Sequence, residues 1–404
     1  MMYTETIKLE SVITDIAAGP FGSNLKVSCF VDYGFPIIDG ANLKGFKVTD
    51  NVTKYVTEEK ARSLHRSIAK RNDVIVTISG TLGQIAYIPE NSMFEEYLCS
   101  QRQFRVSFDT ERVFVPYLVY YFHSREGQHK ILSFANQTGV PALSQPLKNF
   151  RNIEVDLPDI DTQKQIASVM LSLDDKIELN TAINENLEQQ AQAYFVDLFI
   201  TNVDPNWRIG TISDLGYVVG GGTPSKKIEE YYTSDGIAWI TPKDLSNDKS
   251  KFVAHGETDI TELGLAKSSA TLMPKGAVLF SSRAPIGYIA IADGQVCTNQ
   301  GFKSIVPFDN VGTAFVYYFL KENLSAIENV ASGSTFKEVS GSTMKNFTAI
   351  IPDNDTLSEF QRFCSPLFEQ QRALEYENRY LSSIRDTLLP KLMNGEIDVS
   401  AVKI

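Results

Sequence analysis

The sequence predicts two mixed α/β domains in tandem, each followed by one long α-helix. The two helices are expected to pair as an antiparallel coiled coil, giving a molecule with a pseudo-twofold axis. Three observations lead there. The 404-residue chain repeats itself in a fixed order. Each repeat closes with a long, heptad-like apolar seam. Short β-branched runs bounded by Gly, Asn and Pro precede both seams.

The repeat comes first. DVIVTISGTLGQIA (73–86) aligns with AVLFSSRAPIGYIA (277–290), CSQRQFR (99–105) with CTNQGFK (297–303), VYYF (119–122) with VYYF (316–319), and LKNF (147–150) with MKNF (344–347). The offset drifts from 204 to 197 as loops differ in length, yet the order never changes. VIVTI (74–78) and AVLF (277–280) read as strands, and each VYYF as part of an amphipathic helix.

TQKQIASVMLSL (162–173) then aligns with TLSEFQRFCSPL (356–367), and both open on a capping-box pattern, Thr162 with Gln165 and Thr356 with Glu359. Ile166, Val169, Leu173, Ile183, Leu187 and Tyr194 follow at spacings of three and four, interrupted by polar Lys176, Asn180 and Gln190. Phe360, Phe363, Leu367, Leu374, Leu381, Ile384 and Leu388 form the second seam. Seams of about 35–40 residues make helices of roughly 50–60 Å. A stripe that long exceeds what its own domain can cover, so mutual pairing is the expected burial. Stops fall near Asn202 and Pro205, and at Asn394-Gly395. The expected boundaries are 1–158 and 205–352 for the domains, and 159–204 and 353–404 for the helices and tail.

Charge follows the same partition. The net charge is −11, but residues 1–158 are neutral and 205–352 carry −1, while 159–204 and 353–404 carry −7 and −3. An acidic chain can therefore still present basic faces on its domains. No apolar run approaches the roughly 20 residues that span a bilayer, so no membrane association is expected. The stretch MMYTETIKLE lacks a signal-peptide pattern and the four cysteines are scattered. A reducing cytoplasm is the expected compartment.

The motifs of catalysis are missing. There is no GxxxxGK[ST] loop, no GxGxxG after a strand, and no Asn/Asp-Pro-Pro-aromatic tetrapeptide of adenine methyltransferases. Histidines 65, 123, 129 and 255 show no metal-ligand spacing. No catalytic and no metal-binding residue is expected. What remains is GGGTPSKK (220–227), a glycine-rich loop with two hydroxyls and two lysines. It reads as a loop built to hold a phosphate, a bound nucleotide's or a nucleic-acid backbone's, or else as a solvated surface turn with two lysines.

The order of domain, long helix, domain, long helix resembles the specificity subunit of type I restriction–modification systems. GGGTPSKK after ISDLG (212–216), WITPKDL (239–245), LFSSRAPIGYIAI (279–291), TNQGFKSIVP (298–307) and above all SIRDTLLPKLMNGEIDV (383–399) carry that resemblance. In the first domain GPFGSNLK stands where the second has GGGTPSKK, so its loop shape and base choice need not match. The resemblance implies a non-catalytic subunit of a prokaryotic cytoplasmic complex. Each domain would read one half of a bipartite, asymmetric double-stranded DNA site. The helices would set the spacing and dock two adenine methyltransferase subunits, with restriction/translocase subunits joining. S-adenosylmethionine, ATP and Mg²⁺ would belong to those partners. A related system with a fused nuclease–methyltransferase, or a protein scaffold that binds no DNA, are the rival readings.

The candidate DNA-binding residues follow. In the second domain they are Thr223, Ser225, Lys226 and Lys227 of the glycine-rich loop, Lys243 after the WITP strand, and Arg283 in SSRAPIG. Arg283 either reaches guanine O6/N7 or serves as an ion-pair partner. In the first domain they are Asn24 and Lys26, Asn42 and Lys44 after IIDGA, Thr81 in ISGTLG, and Arg102. Arg102 and Gln103, like Asn299 and Gln300, are either base readers or strand-end polar groups. Ile166, Leu173, Leu187, Leu367, Leu381 and Leu388 are the candidate helix-pairing and partner-docking positions.

Overall fold

Strand Thr4–Lys8 pairs antiparallel with Glu154–Pro158, so the first domain is closed where its two chain ends meet. The computed structural model describes residues 4–136, 140–333, 337–399 and 402. They fall into two compact units, Met1–Lys176 with Tyr380–Ile404, and Ile177–Arg379.

In the first unit an antiparallel sheet runs Ile13–Ala18, Gln103–Phe108, Val74–Thr77, Ile85–Tyr87. A second sheet runs Phe30–Val31, Tyr55–Val56, Phe35–Ile38, Glu96–Cys99, Ile68–Lys70, with Phe35–Ile38 parallel to Glu96–Cys99. In the second unit the main sheet runs Gly216–Gly220, Lys303–Pro307, Val278–Ser282, Ile286–Ala292, Phe252–Val253. Ala238–Ile240 lies parallel to Val296–Thr298, and Arg208–Thr211 closes against Thr348–Ile351. The two domains thus share one plan, as the repeat predicts.

The plan also corrects the repeat's register. Ile78 N donates to Arg102 O at 2.6 Å, and its counterpart Ser282 N donates to Gly301 O at 2.7 Å. Ser100 N donates to Ile38 O and Asn299 N to Ile240 O. Residues 100–103 therefore correspond to 299–302, one position from the alignment that identical Cys and Phe residues suggest. The two VYYF segments lie in helices Val115–His123 and Thr313–Glu322. They are not amphipathic: Val115–Phe122 and Ala314–Leu320 are buried throughout, sandwiched within their cores.

The long helices span Ile160–Val196, continued by a π-helical turn Asp197–Thr201, and Asn354–Met393. Their caps differ from the expectation. Asp159 accepts from the Thr162 N–H at 3.0 Å and its hydroxyl at 2.7 Å, and Asp353 does the same for Thr356 at 2.9 Å each. An aspartate three residues earlier is the better N-cap acceptor, so the threonines become donors to it. Glu359 instead accepts from the Tyr194 hydroxyl at 2.6 Å.

Within each unit the helix segments run antiparallel. In the first, Asp174 faces Arg385 at 2.8 Å, and Ile166, Val169 and Met170 share a core with Leu389 and Leu392. In the second, Asn180 donates to Glu377 at 2.8 Å and Asn378 at 2.9 Å, and Gln371 to the Asn184 carbonyl at 3.2 Å. Ile166 and Leu187 are buried. Leu173 and Leu388 are half-buried on the first core, Leu367 is half-buried on the second, and Leu381 is half-buried. The seam is thus not one apolar stripe between helices. Its ends pack on the domain cores, while Asn180, expected as a mere interruption, is fully buried at a polar contact. Among the described residues, no helix is long and apolar enough to cross a membrane.

Candidate nucleic-acid interface

The glycine-rich loop leaves the edge of the main sheet at Gly220 and folds back on the domain itself. A Cβ on Gly221 would lie 1.9 Å from the Asn299 carbonyl oxygen, and one on Gly222 would lie 2.3 Å from the Ala270 nitrogen. The close approach that these glycines permit is therefore to their own protein. Gly222 N donates to Thr298 O at 2.8 Å and accepts, through its carbonyl, the Trp239 indole N–H at 2.9 Å. The Thr223 hydroxyl donates to the Gln300 side-chain oxygen, and Tyr232 OH to Pro224 O at 2.7 Å. Loop residues 221–224 are clamped, and Ser225, Lys226 and Lys227 project from that clamp into solvent.

Beside the clamp is an open cavity of about 490 Å³ lined by Thr223, Lys226, Lys243, Arg283, Asn299 and Gln300 among others. Four of the six residues expected in this domain meet there, and Ser225 and Lys227 flank it in the same loop. Lys243 projects from helix Pro242–Asn247, whose N-cap Thr241 and Asp244 form a reciprocal capping box. Its ammonium lies 2.6 Å from Glu257, which raises its pKa above the ordinary lysine value. Arg283 lies 3.3 Å from Glu338, which Lys303 also approaches at 3.5 Å. Lys226 has no carboxylate partner among the described residues.

The first domain builds the same feature from other residues. A cavity of about 640 Å³ is lined by Val27, Asp39, Lys54, Thr81, Arg102 and Gln103 among others. Gln101 donates to Gly22 O at 3.0 Å and Leu25 O at 2.7 Å, clamping loop 21–27 as Gln300 holds Thr223. By the corrected register Gln101 and Gln300 are equivalent. Thr81 and Arg102 are exposed on the cavity, and Asn24 and Lys26 are exposed on the clamped loop. Lys44 is exposed but does not line the cavity. Asn42 is committed elsewhere. It is buried, accepts from Asp39 N at 3.0 Å, and donates to Thr49 O and Asn51 O at 3.1 Å each. Both ends of its amide hold the loop, as Asp244 does in the other domain, so no donor is left for a base or phosphate.

Lys54, Gln101, Glu257 and Glu338 escape sequence reasoning. Lys54 neutralises Asp39 at 2.6 Å from 15 residues away, and Glu338 reaches Arg283 across 55. Only the Gln101–Gln300 pair had a legible signal, and the register slip hid it. Among the described residues no His/Cys/Asp/Glu cluster is arranged to hold a metal. Burial pulls His123 below its usual pKa, and its ring bonds to Ile85 O at 2.7 Å, so it serves the core.

Each α/β domain thus carries a clamped loop beside an open cavity lined in part by cationic side chains. The chain belongs to the type I restriction modification DNA specificity domain family, whose model matches twice, at residues 22–189 and 205–375. It is 36% identical over 211 residues to the specificity subunit of the type I restriction enzyme MjaIX from Methanocaldococcus jannaschii. That match covers 52% of this chain and 48% of the relative, so it spans about half the relative's length. It is 27% identical over 322 residues to the HindI specificity subunit from Haemophilus influenzae, covering 61% of this chain and 69% of that one. The fold resembles that of a type I S subunit from M. genitalium, with a TM-score of 0.61 at 14% identity over 97% of this chain and 96% of the other.

Proposed function

We propose that this chain is the non-catalytic sequence-recognition subunit of a type I restriction–modification complex, each domain reading one half of a bipartite, asymmetric DNA site. The observation that carries this reading is the shared construction of two different sites. Equivalent glutamines clamp equivalent loops at equivalent cavities, but the side chains presented there differ, Val27 and Thr81 with Arg102 in one, Thr223 and Lys226 with Arg283 in the other. A common frame with unlike reading groups suits two unlike half-sites. Exposed Lys26, Lys226 and Lys227 on the clamped loops supply phosphate contacts, which position a protein without reading sequence. In this reading the long helices fix the spacing and dock two adenine methyltransferase subunits. Restriction/translocase subunits join them, and S-adenosylmethionine, ATP and Mg²⁺ are bound by these partners.

The test is a map of N6-methyladenine in a methylation-free host expressing the chain with the methyltransferase encoded beside it. A split, asymmetric motif with a fixed gap is expected. One half should change when 1–158 is exchanged for another domain of the family, and the other when 205–352 is exchanged. A stable complex that marks no motif would favour a scaffold that does not read DNA.

A further inference from the structure

Two apolar side chains stand out from the clamped loop of the first domain, Phe21 and Val27, each 81% exposed. Exposed hydrophobic residues scattered singly are ordinary. These two are placed at a site. Ala18 pairs with Phe104 and Gly220 with Lys303 in the two sheets, and Gly19 N and Gly221 N donate to the equivalent carbonyls of Gln103 and Phe302. Two residues on from those glycines, Phe21 falls at the chain position of Thr223, which lines the second-domain cavity, and stands beside the first-domain cavity without lining it. Val27 itself lines the first-domain cavity.

The loop that carries them is held. Asn24 N donates to Phe21 O at 2.8 Å, and Gln101 grips the carbonyls of Gly22 and Leu25. Ser23, Asn24, Lys26 and Ser28 are exposed between and beside the two apolar groups, so no continuous apolar face exists for a protein helix to cover. Lys26 and Arg102, both exposed, have no carboxylate partner among the described residues. The complementary surface thus has small isolated apolar spots set among negative charges. In the DNA major groove the apolar group on a base edge is the thymine C5-methyl, flanked by phosphates.

We propose that Phe21 and Val27 read thymine in the half-site of the first domain, packing on C5-methyl groups while Lys26 and Arg102 engage neighbouring phosphates. The second domain, with Thr223 at the Phe21 position, lacks this device. The inference rests on the DNA-recognition reading above and names the chemistry of one of its sites.

The test uses the full chain in complex with its methyltransferase partner, bound to a duplex carrying the mapped motif. Each thymine of the first half-site is replaced in turn by deoxyuridine, which deletes only the methyl group and leaves the protein unaltered. At one or more positions affinity should fall roughly fourfold, the loss expected for one buried methyl. With Phe21→Ser or Val27→Ser, thymine and uracil duplexes should bind alike at the affected position. Specific binding indifferent to uracil throughout that half-site overturns the proposal, as does a loss that persists undiminished in both variants, or a half-site without an A·T pair. Impaired methyltransferase assembly in Phe21→Ser with thymine discrimination intact would make the surface a protein dock and also overturn it. Loss of all sequence preference in the unmodified complex would sink the recognition reading itself, and this proposal with it.

Discussion

Lys251 Nζ donates to Gln371 Oε1 across 2.8 Å, joining a loop of the second domain to the second long helix. The same ammonium is paired with Glu188 of the first long helix and sits 4.1 Å from the Phe368 ring centroid. Glu375 accepts from the backbone N–H groups of Lys251 and Phe252 at 2.9 and 3.1 Å. One buried lysine thus ties the domain to both helices. Lys251→Met should destabilise the second unit by about 3 kcal/mol, because Glu188 would remain half-buried with one cation fewer. Lys321, 2.7 Å from Glu188, keeps the loss from being larger. Chemical denaturation of the full chain measures it, and an unchanged midpoint would mean that the network does not stabilise the second unit.

The same site makes a pH prediction. Burial pushes the Glu188 carboxyl upward, but Lys251 and Lys321 more than offset this and hold it down to about 2. A carboxyl depressed in the folded state contributes stability that is present above its unfolded pKa near 4.5 and is lost as pH falls toward 2. Glu188→Gln should therefore be markedly less stable than the unmodified chain at pH 7, with the gap closing between pH 4.5 and 2. Denaturant midpoints taken at intervals across that window test this. A gap constant with pH would mean that the charge on Glu188 contributes nothing.

Lys226 stands on the clamped loop without a carboxylate partner, whereas Lys243 is tied to Glu257 at 2.6 Å. Lys226→Ala should weaken binding to all DNA sequences and lower the slope of log K against log salt by about one. Lys243→Ala should have the smaller effect, since its charge is already partly answered. Equal slopes for Lys226→Ala and the unmodified complex would place the phosphate contact elsewhere.

Arg283 carries a different expectation because its guanidinium faces both the cavity and Glu338 at 3.3 Å. Arg283→Ala should relax preference at a single base pair of the second half-site by about 1–3 kcal/mol, the discrimination of one bidentate contact. The first half-site and the gap should be untouched. Competition binding with single-base variants decides it. A loss of stability with unaltered preference would assign Arg283 to the ion pair alone.

The sequence displays its repeat and long helices because periodicity is a local property. Ile166 and Leu187 announce themselves by spacing and are buried. What depends on a choice between neighbouring polar residues is harder to read. Thr162 and Asp159 both satisfy the rules for a helix start, and only the fold shows the carboxylate as acceptor. Identical cysteines at 99 and 297 draw the alignment one residue off the backbone pairing, which hid the equivalence of Gln101 and Gln300. Asn42 looks like a surface reader in sequence, yet its amide is consumed by Thr49 and Asn51. Polar residues that build a loop and polar residues that use it have the same composition. The clearest division between those roles lies within the glycine run.

Gly220 and Gly221 are adjacent and chemically identical, and the structure gives them opposite tolerances. A Cβ on Gly220 meets nothing within 4 Å, whereas one on Gly221 would lie 1.9 Å from the Asn299 carbonyl and 2.5 Å from that of Thr298. Backbone atoms cannot swing aside as a side chain can, so Gly221→Ala must lift the loop off its seat at about 1–3 kcal/mol. That shift would carry Thr223 and Lys226 away from the cavity. Methylation directed by the second half-site should lose its specificity while the first half-site's preference persists, and Gly220→Ala should behave as the unmodified chain. In a methylome this appears as a motif degenerate on one side only. Equal behaviour of the two variants would mean that the clamp at 221–224 does not position the reading groups.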